Sequence, residues 1–171
     1  IKTETKLYIN SNNPFKWFWF SLKRSTDFKT RSCRKELWMF LIMSNFFAFL
    51  FIIIFVGTYF ALIGENQIGR EEILGVIGVG GFIYDLLTLI PVSALITRRF
   101  HDVGASGWLT LIVYIASFSY LILEKISKET LLVYLVILLA IFNFGLTLIL
   151  LFAKGDKGDN AYGHNPIEWG N

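Results

Sequence analysis

The sequence predicts an all-α integral membrane protein, an antiparallel bundle of four transmembrane helices preceded by a short interfacial amphipathic helix. Three observations predict it. Hydrophobic residues make up 54% of the 171 residues, with a mean hydropathy of +0.56. Charged residues make up only 17%, where a soluble domain carries about a quarter. Those charges are clustered, leaving long apolar stretches that no charged skin could cover in water. Soluble, disordered and disulfide-scaffold classes are excluded together, the last because Cys33 is the only cysteine.

The N-terminal segment, residues 1–36, holds Pro14-Phe15-Lys16-Trp17-Phe18-Trp19-Phe20, followed by Lys23-Arg24. Trp rings favour the headgroup layer, and neighbouring basic residues favour anionic lipid, so a short interfacial helix is expected. The alternative is that these rings pack on the bundle itself. No charge-free apolar run in this segment could serve as a signal peptide.

The membrane domain is expected over residues 37–153. Its first span, Leu37 to Ile63, has 27 uncharged residues. As a helix it is about 40 Å long against about 30 Å of hydrocarbon, so it crosses with tilt. The second, Ile73 to Ile96, is interrupted only by Asp85. The third, Trp108 to Leu123, has 16 residues and falls just short of the usual spanning length. The fourth, Leu131 to Ala153, has 23 residues without a charge. Residues 154–171 form a polar tail.

Charge fixes the expected orientation. With four spans and both termini cytoplasmic, nine N-terminal basic residues, Arg98, Arg99, Lys154 and Lys157 lie inside. Arg70, Lys125 and Lys128 lie outside, a split of 13 to 3 that agrees with the positive-inside rule. The seven inside acids are Glu4, Asp27, Glu36, Asp102, Asp156, Asp159 and Glu168; five others lie outside. The net charge of +3 therefore resolves into +6 inside, −2 outside and −1 at Asp85. Lys and Arg excess here reports topology, and no nucleic-acid partner is expected.

Three polar motifs fall on the cytoplasmic side. Arg31, Arg34 and Glu36 lead into the first span. Arg98-Arg99-Phe100-His101-Asp102-Val103-Gly104-Ala105-Ser106-Gly107-Trp108 joins the second and third. Gly158-Asp159-Asn160-Ala161-Tyr162-Gly163-His164-Asn165-Pro166 follows the fourth. In the middle motif, Asp102 or Ser106 can cap the third helix, Gly104 and Gly107 permit a tight turn, and Trp108 suits the interface. Arg98 or Arg99 can pair with Glu36 or Asp102 in the bidentate geometry that Lys cannot copy. An intermediate reading has Arg98, Arg99 and His101 holding a lipid phosphate. His101-Asp102 is also the pair used by metal-dependent phosphohydrolases. Those sites need several more ligands, and the chain has only His101 and His164, so no metal, cofactor or enzymatic activity is expected. The Gly155-Asp156-Lys157-Gly158-Asp159-Asn160 run lacks the closing Glu of a calcium loop.

The order of these motifs, Arg34-Lys35-Glu36-Leu37-Trp38, then Arg98 to Trp108, then Gly158 to Pro166, resembles the YhaH/YhaI-like bacterial inner-membrane family, a domain of unknown function. The resemblance runs from about Pro14 to Pro166. Thr30 stands where the family usually has Gly, and Ala161 where it often has Arg. The resemblance implies a small polytopic protein of the bacterial inner membrane and no particular activity.

Within the bilayer, a carboxylate at Asp85 costs roughly 2.5–3.5 kcal/mol, so it is expected to face protein or water, or to be protonated. At about 100° per residue, Gly78, Gly81 and Asp85 fall within about 60° of one another. A neighbouring helix could then approach closely and meet the acid, with Asn45, Asn143 or Thr147 as hydrogen-bond partners. Gly78-Val79-Gly80-Gly81 does not follow a strand and is no dinucleotide loop. Two functions follow as expectations. One is a non-enzymatic scaffold or accessory subunit whose motif face binds anionic lipid, a protein partner or a second copy. The other is a small channel, transporter or permeabilising effector built on Asp85 and the glycine face.

Overall fold

The computed structural model of the chain describes residues 12–63, 69–126 and 130–166. Lys2, Glu4, Lys6, Glu65, Lys128, Glu129 and Glu168, which enter the charge argument, lie outside them. The described residues form five α-helices: α1 (Pro14–Lys23), α2 (Arg34–Ile63), α3 (Arg70–Asp102), α4 (Leu109–Ile126) and α5 (Thr130–Phe152). Among the described residues there is no strand, only a single bridge between Asn160 and Gly163.

Local chemistry explains the helix starts. Pro14 occupies the first turn of α1, where a missing N–H costs nothing, and the Asn13 side chain accepts from the Phe15 amide at 2.9 Å. In α3, Glu71 and Glu72 sit in the first turn, favourable to the helix dipole, and Glu72 accepts from the Gly69 amide. Pro91 lies inside α3, where it cannot donate to the carbonyl one turn back.

α3 doubles back along α2, and α4 along α3. Glu36 meets Arg98, Ser44 meets Tyr84 and Phe55 meets Gly80, so α2 and α3 run opposite ways. Thr97–Thr110 and Ser93–Tyr114 pair α3 with α4, and Ser117–Asn143 pairs α4 with α5. Gly80 is where α2 and α3 come closest: a Cβ there would lie 2.9 Å from the Phe55 ring. α1 lies against α2, with Trp17 buried and Phe18 stacked on Phe40 at 5.1 Å. Phe15 and Trp19 face outward.

Apolar burial is concentrated at one end. Leu37, Phe40, Leu95, Phe100 and Leu150 form the core where α2, α3 and α5 meet beside the polar motifs. Away from that end the helices are apolar outward. α2 and α3 are long and apolar enough to cross a membrane, yet only 11% and 6% of their most apolar windows lie inside the protein. The core helix of a soluble protein would be mostly buried. These two helices instead expose their hydrophobic side chains along the length a bilayer would cover.

Two expectations change. The Arg98–Asp102 stretch is the last turn of α3 rather than a loop, because its charges are satisfied within the protein and do not force the helix to end. Asp85 meets no neighbouring helix. Its side chain is exposed, and a Cβ at Gly75, Gly78 or Gly81 would have nothing within 4 Å. The close helix approach uses Gly80, on the opposite side. The expected partners are engaged elsewhere: Asn45 donates to the Leu41 carbonyl, Asn143 to Ser117 Oγ, and Thr147 to the Asn143 carbonyl.

Candidate functional site: a charge-locked cap

The three polar motifs converge at one end of the molecule and close over it as a cap. Glu36, in the first turn of α2, is its first hub. It accepts from Arg98 Nη2 at 3.1 Å, Ser21 Oγ at 2.9 Å, Ser32 Oγ at 2.9 Å and Arg24 Nη1 at 3.4 Å. Asp102, the last residue of α3, is the second. Its Oδ1 accepts from Arg31 Nε at 3.1 Å and Nη2 at 2.9 Å, a side-on fork, and its Oδ2 accepts from Arg99 Nη1. Arg98 and Arg99 are both 0% exposed. Buried charges survive only when paired and hydrogen-bonded, and these are.

The arginines do a second task. The last carbonyls of a helix have no partner in it. Arg99 Nε donates to the Leu150 carbonyl at 2.9 Å and Arg99 Nη2 to that of Ala153. Trp38 Nε1 serves Leu151 at 3.2 Å and Arg34 Nη1 serves Phe152 at 3.4 Å. Every carbonyl from Leu150 to Ala153 thus receives a side-chain donor. Arg98 Nη1 does likewise at the end of α1, donating to the Arg24 and Asp27 carbonyls at 2.6 and 2.8 Å.

The C-terminal motif folds back onto this frame. Arg31 donates to the Asp156, Gly158 and Gly163 carbonyls, and the Asp156 amide to the Asp102 carbonyl at 2.8 Å. Asn160 Nδ2 donates to the His101 carbonyl at 2.9 Å. Tyr162 stacks on His101 with centroids 3.8 Å apart and planes 4° from parallel. Gly155 permits this docking: a Cβ there would stand 2.1 Å from Asp102 Oδ2. At Gly107 a Cβ would stand 2.7 Å from His101 Nε2.

Of the motif residues singled out by sequence, Arg31, Arg34, Glu36, Arg98, Arg99, His101, Asp102, Asn160, Tyr162 and Gly163 enter this assembly. Ser106 and Gly107 form the turn before α4, where Ser106 Oγ accepts from the Trp108 amide at 3.4 Å, and Trp108 is 76% exposed. Asp102 does not cap α4, since both its oxygens are taken by arginines. Sequence reasoning missed Ser21, Arg24, Asp27, Ser32, Thr97 and Thr110. Only the four-residue spacing of Ser93, Thr97 and His101 offered a signal, a polar stripe on one face of an apolar helix.

Chemically the cap is a lock. Asp27 binds Arg24, the Thr30 hydroxyl and the Lys29 and Thr30 amides. Burial pushes its carboxyl upward, but these donors outweigh that and hold it below its ordinary 3.8. Burial pushes the Cys33 thiol above its ordinary value. His101 turns toward the Thr30 carbonyl and Asp102 toward Arg31 and Arg99, so the two do not converge on a common point. Among the described residues no three His, Cys, Asp or Glu side chains are grouped to hold a metal ion.

Residues 25–164 match the family model described as "Protein of unknown function (DUF805)". The chain belongs to this family. The Escherichia coli K12 inner membrane protein YhaH is 32% identical over 107 residues, 63% of this chain and 79% of that protein. The inner membrane protein YhaI of the same strain is 26% identical over 151 residues, 88% of this chain and 94% of that protein. No solved structure matches. The matched region covers both carboxylate hubs of the cap, Glu36 and Asp102, while Ser21 and Arg24 lie just before it.

Proposed function

We propose that this chain is a four-span protein of the bacterial inner membrane with both termini in the cytoplasm. Its cap acts without chemistry of its own, as a rigid platform for anionic lipid and a protein partner. The outward apolar faces of α2 and α3, the charge-free α5 and the names of the relatives support the membrane reading. The 13-to-3 basic split supports the orientation. The observation that carries the platform reading is a division of labour at the cap. Its arginines are spent on carboxylates and carbonyls inside, while Lys16, Lys23 and Lys29 stand exposed beside the outward rings of Phe15, Trp19 and Phe28. A ring-and-lysine rim suits the headgroup layer, with α1 lying along it. Lipid contact is thereby assigned to the lysines, since Arg98 and Arg99 have no exposed surface to offer a phosphate.

Mass spectrometry of the protein purified in mild detergent tests this. Replacing Lys16, Lys23 and Lys29 together by Gln is expected to cut co-purified anionic phospholipid several-fold with the melting temperature unchanged. Equal retention would refute the rim. Reporter fusions at the C-terminus test its side of the membrane.

A second reading, a small channel or permeabilising effector, draws on the outward Asp85 beside Gly78 and Gly81. Liposome conductance that Asp85→Asn abolishes would support it.

A further inference from the structure

Between the ends of α3 and α4 nearest the cap lies a cavity of about 640 Å³, walled in part by His101 and Tyr162 of the cap and Phe28 of the rim. Its polar side is a ladder with one rung per turn: Ser93, Thr97 and His101 on α3, Thr110 and Tyr114 on α4. Ser93 Oγ lies 3.0 Å from Tyr114 OH and 2.6 Å from the Leu89 carbonyl. Ser93 Oγ donates toward both, its one proton shared between the Leu89 carbonyl and Tyr114 OH, so the Tyr114 proton stays free. Thr97 and Thr110 share one bond of 2.9 Å and own two protons, leaving one hydroxyl proton uncommitted. His101 Nδ1 lies 3.2 Å from the Thr30 carbonyl, so it carries the ring proton, and Nε2 presents a lone pair beside Gly107. The cavity therefore offers hydroxyl donors, from the Thr97–Thr110 pair and from Tyr114, and one imidazole acceptor.

The other walls select the ligand further. Among the described residues no Lys, Arg, Asp or Glu lines the cavity. A charged head would lose its hydration there without a counter-charge, so the occupant is neutral. Phe28, Trp108, Tyr162 and the stacked His101 supply flat aromatic surface. Leu111, Ile112 and Ile115 continue outward along α4 as an exposed apolar strip.

We propose that this cavity binds the head ring of a neutral isoprenoid quinone or its quinol. The ring is flat and uncharged, a quinone oxygen accepts from the Thr97–Thr110 pair or a quinol hydroxyl donates to His101 Nε2, and the hydrocarbon tail leaves along Leu111 and Ile115. The site rests on the membrane reading only for where that tail goes.

Equilibrium dialysis of the purified, detergent-solubilised chain against a short-tailed benzoquinone, followed by its absorbance, tests the proposal. Saturable binding of one molecule per chain is expected. Thr110→Val, which keeps the shape and removes the hydroxyl, is expected to weaken it about tenfold. Leu111→Trp, which fills the cavity mouth from an exposed position, is expected to abolish it. Lys157→Ala, outside the cavity, is expected to leave it unchanged. Uptake that never saturates, or that is the same in all variants, is partition into micelles and overturns the proposal. Stronger retention of dioctanoylglycerol than of the quinone also overturns it, in favour of a glycerolipid. Because binding is read in detergent, its failure leaves the topology fusions unaffected, and their failure leaves the binding result standing.

Discussion

Glu36 ties α1, α2 and α3 together at the cap. Four donors converge on its two oxygens, two of them guanidinium groups. Truncating one partner of a buried ion pair leaves the other charge uncompensated, which costs about 3–5 kcal/mol. Glu36→Ala is therefore expected to lower the unfolding temperature in detergent sharply, while Lys157→Ala, at an exposed position, leaves it within error. Equal melting of the two would show that Arg98 finds adequate partners in the Arg24 and Asp27 carbonyls alone. Cys33 gives a milder residue-scale test. It is 6% exposed and burial raises its thiol, so little thiolate exists near neutral pH. Maleimide is expected to label it only after denaturation; rapid labelling of the folded protein would mean that the cap opens. At this scale a pairing of Arg98 or Arg99 with Glu36 or Asp102 was legible, because opposite charges bordering adjacent apolar runs can meet once those runs pack, but which arginine meets which carboxylate was not. Ser21, Ser32 and Arg24 were not, since a hydroxyl or an arginine beside other basic residues carries no periodicity to say which carboxylate it serves.

Among the elements, the helix ends carry the information that apolar runs hide. The expected second span stops at Ile96, whereas α3 continues to Asp102. Reading each charge as a sign of water ends a helix at the first arginine, but here the arginines turn inward and donate to the ends of α1 and α5. The helix existence and order were legible from apolar run length alone; their termini depended on contacts between segments more than fifty residues apart. The turn between α1 and α2 makes a pH-dependent joint. Asp27 has a folded pKa below its ordinary 3.8, so its contribution is complete above 3.8 and is lost as pH falls through the lower folded value. Acidification is expected to loosen α1 from α2, read as exposure of buried Trp17 to a fluorescence quencher. Asp27→Asn is expected to flatten that dependence, and an unchanged acid profile in this variant would assign it to another group.

At the scale of the whole molecule, the charges give an expected orientation but say nothing of packing. The basic residues sort by loop, a one-dimensional property that needs no contacts. The direction Asp85 faces depends on which side of α3 finds α2, and Phe55 settles that by packing on Gly80. The consequence is an acid at mid-helix on an outward apolar face, with no hydrogen bond or ion pair to its carboxylate among the described residues. Placing that carboxylate in hydrocarbon costs roughly 2.5–3.5 kcal/mol, and one copy supplies nothing to offset it. Gly75, Gly78 and Gly81 leave the same face open, and small residues allow two backbones to approach closely enough for an interhelical hydrogen bond. Two copies meeting there can hydrogen-bond through their facing Asp85 side chains. Self-association is accordingly expected in mild detergent, retained by Asp85→Asn and lost in both Asp85→Leu and Gly78→Leu. Light scattering on the protein–detergent complex separates the outcomes. A wild-type monomer with the mass of the Asp85→Leu variant would mean that α3 meets lipid with this face.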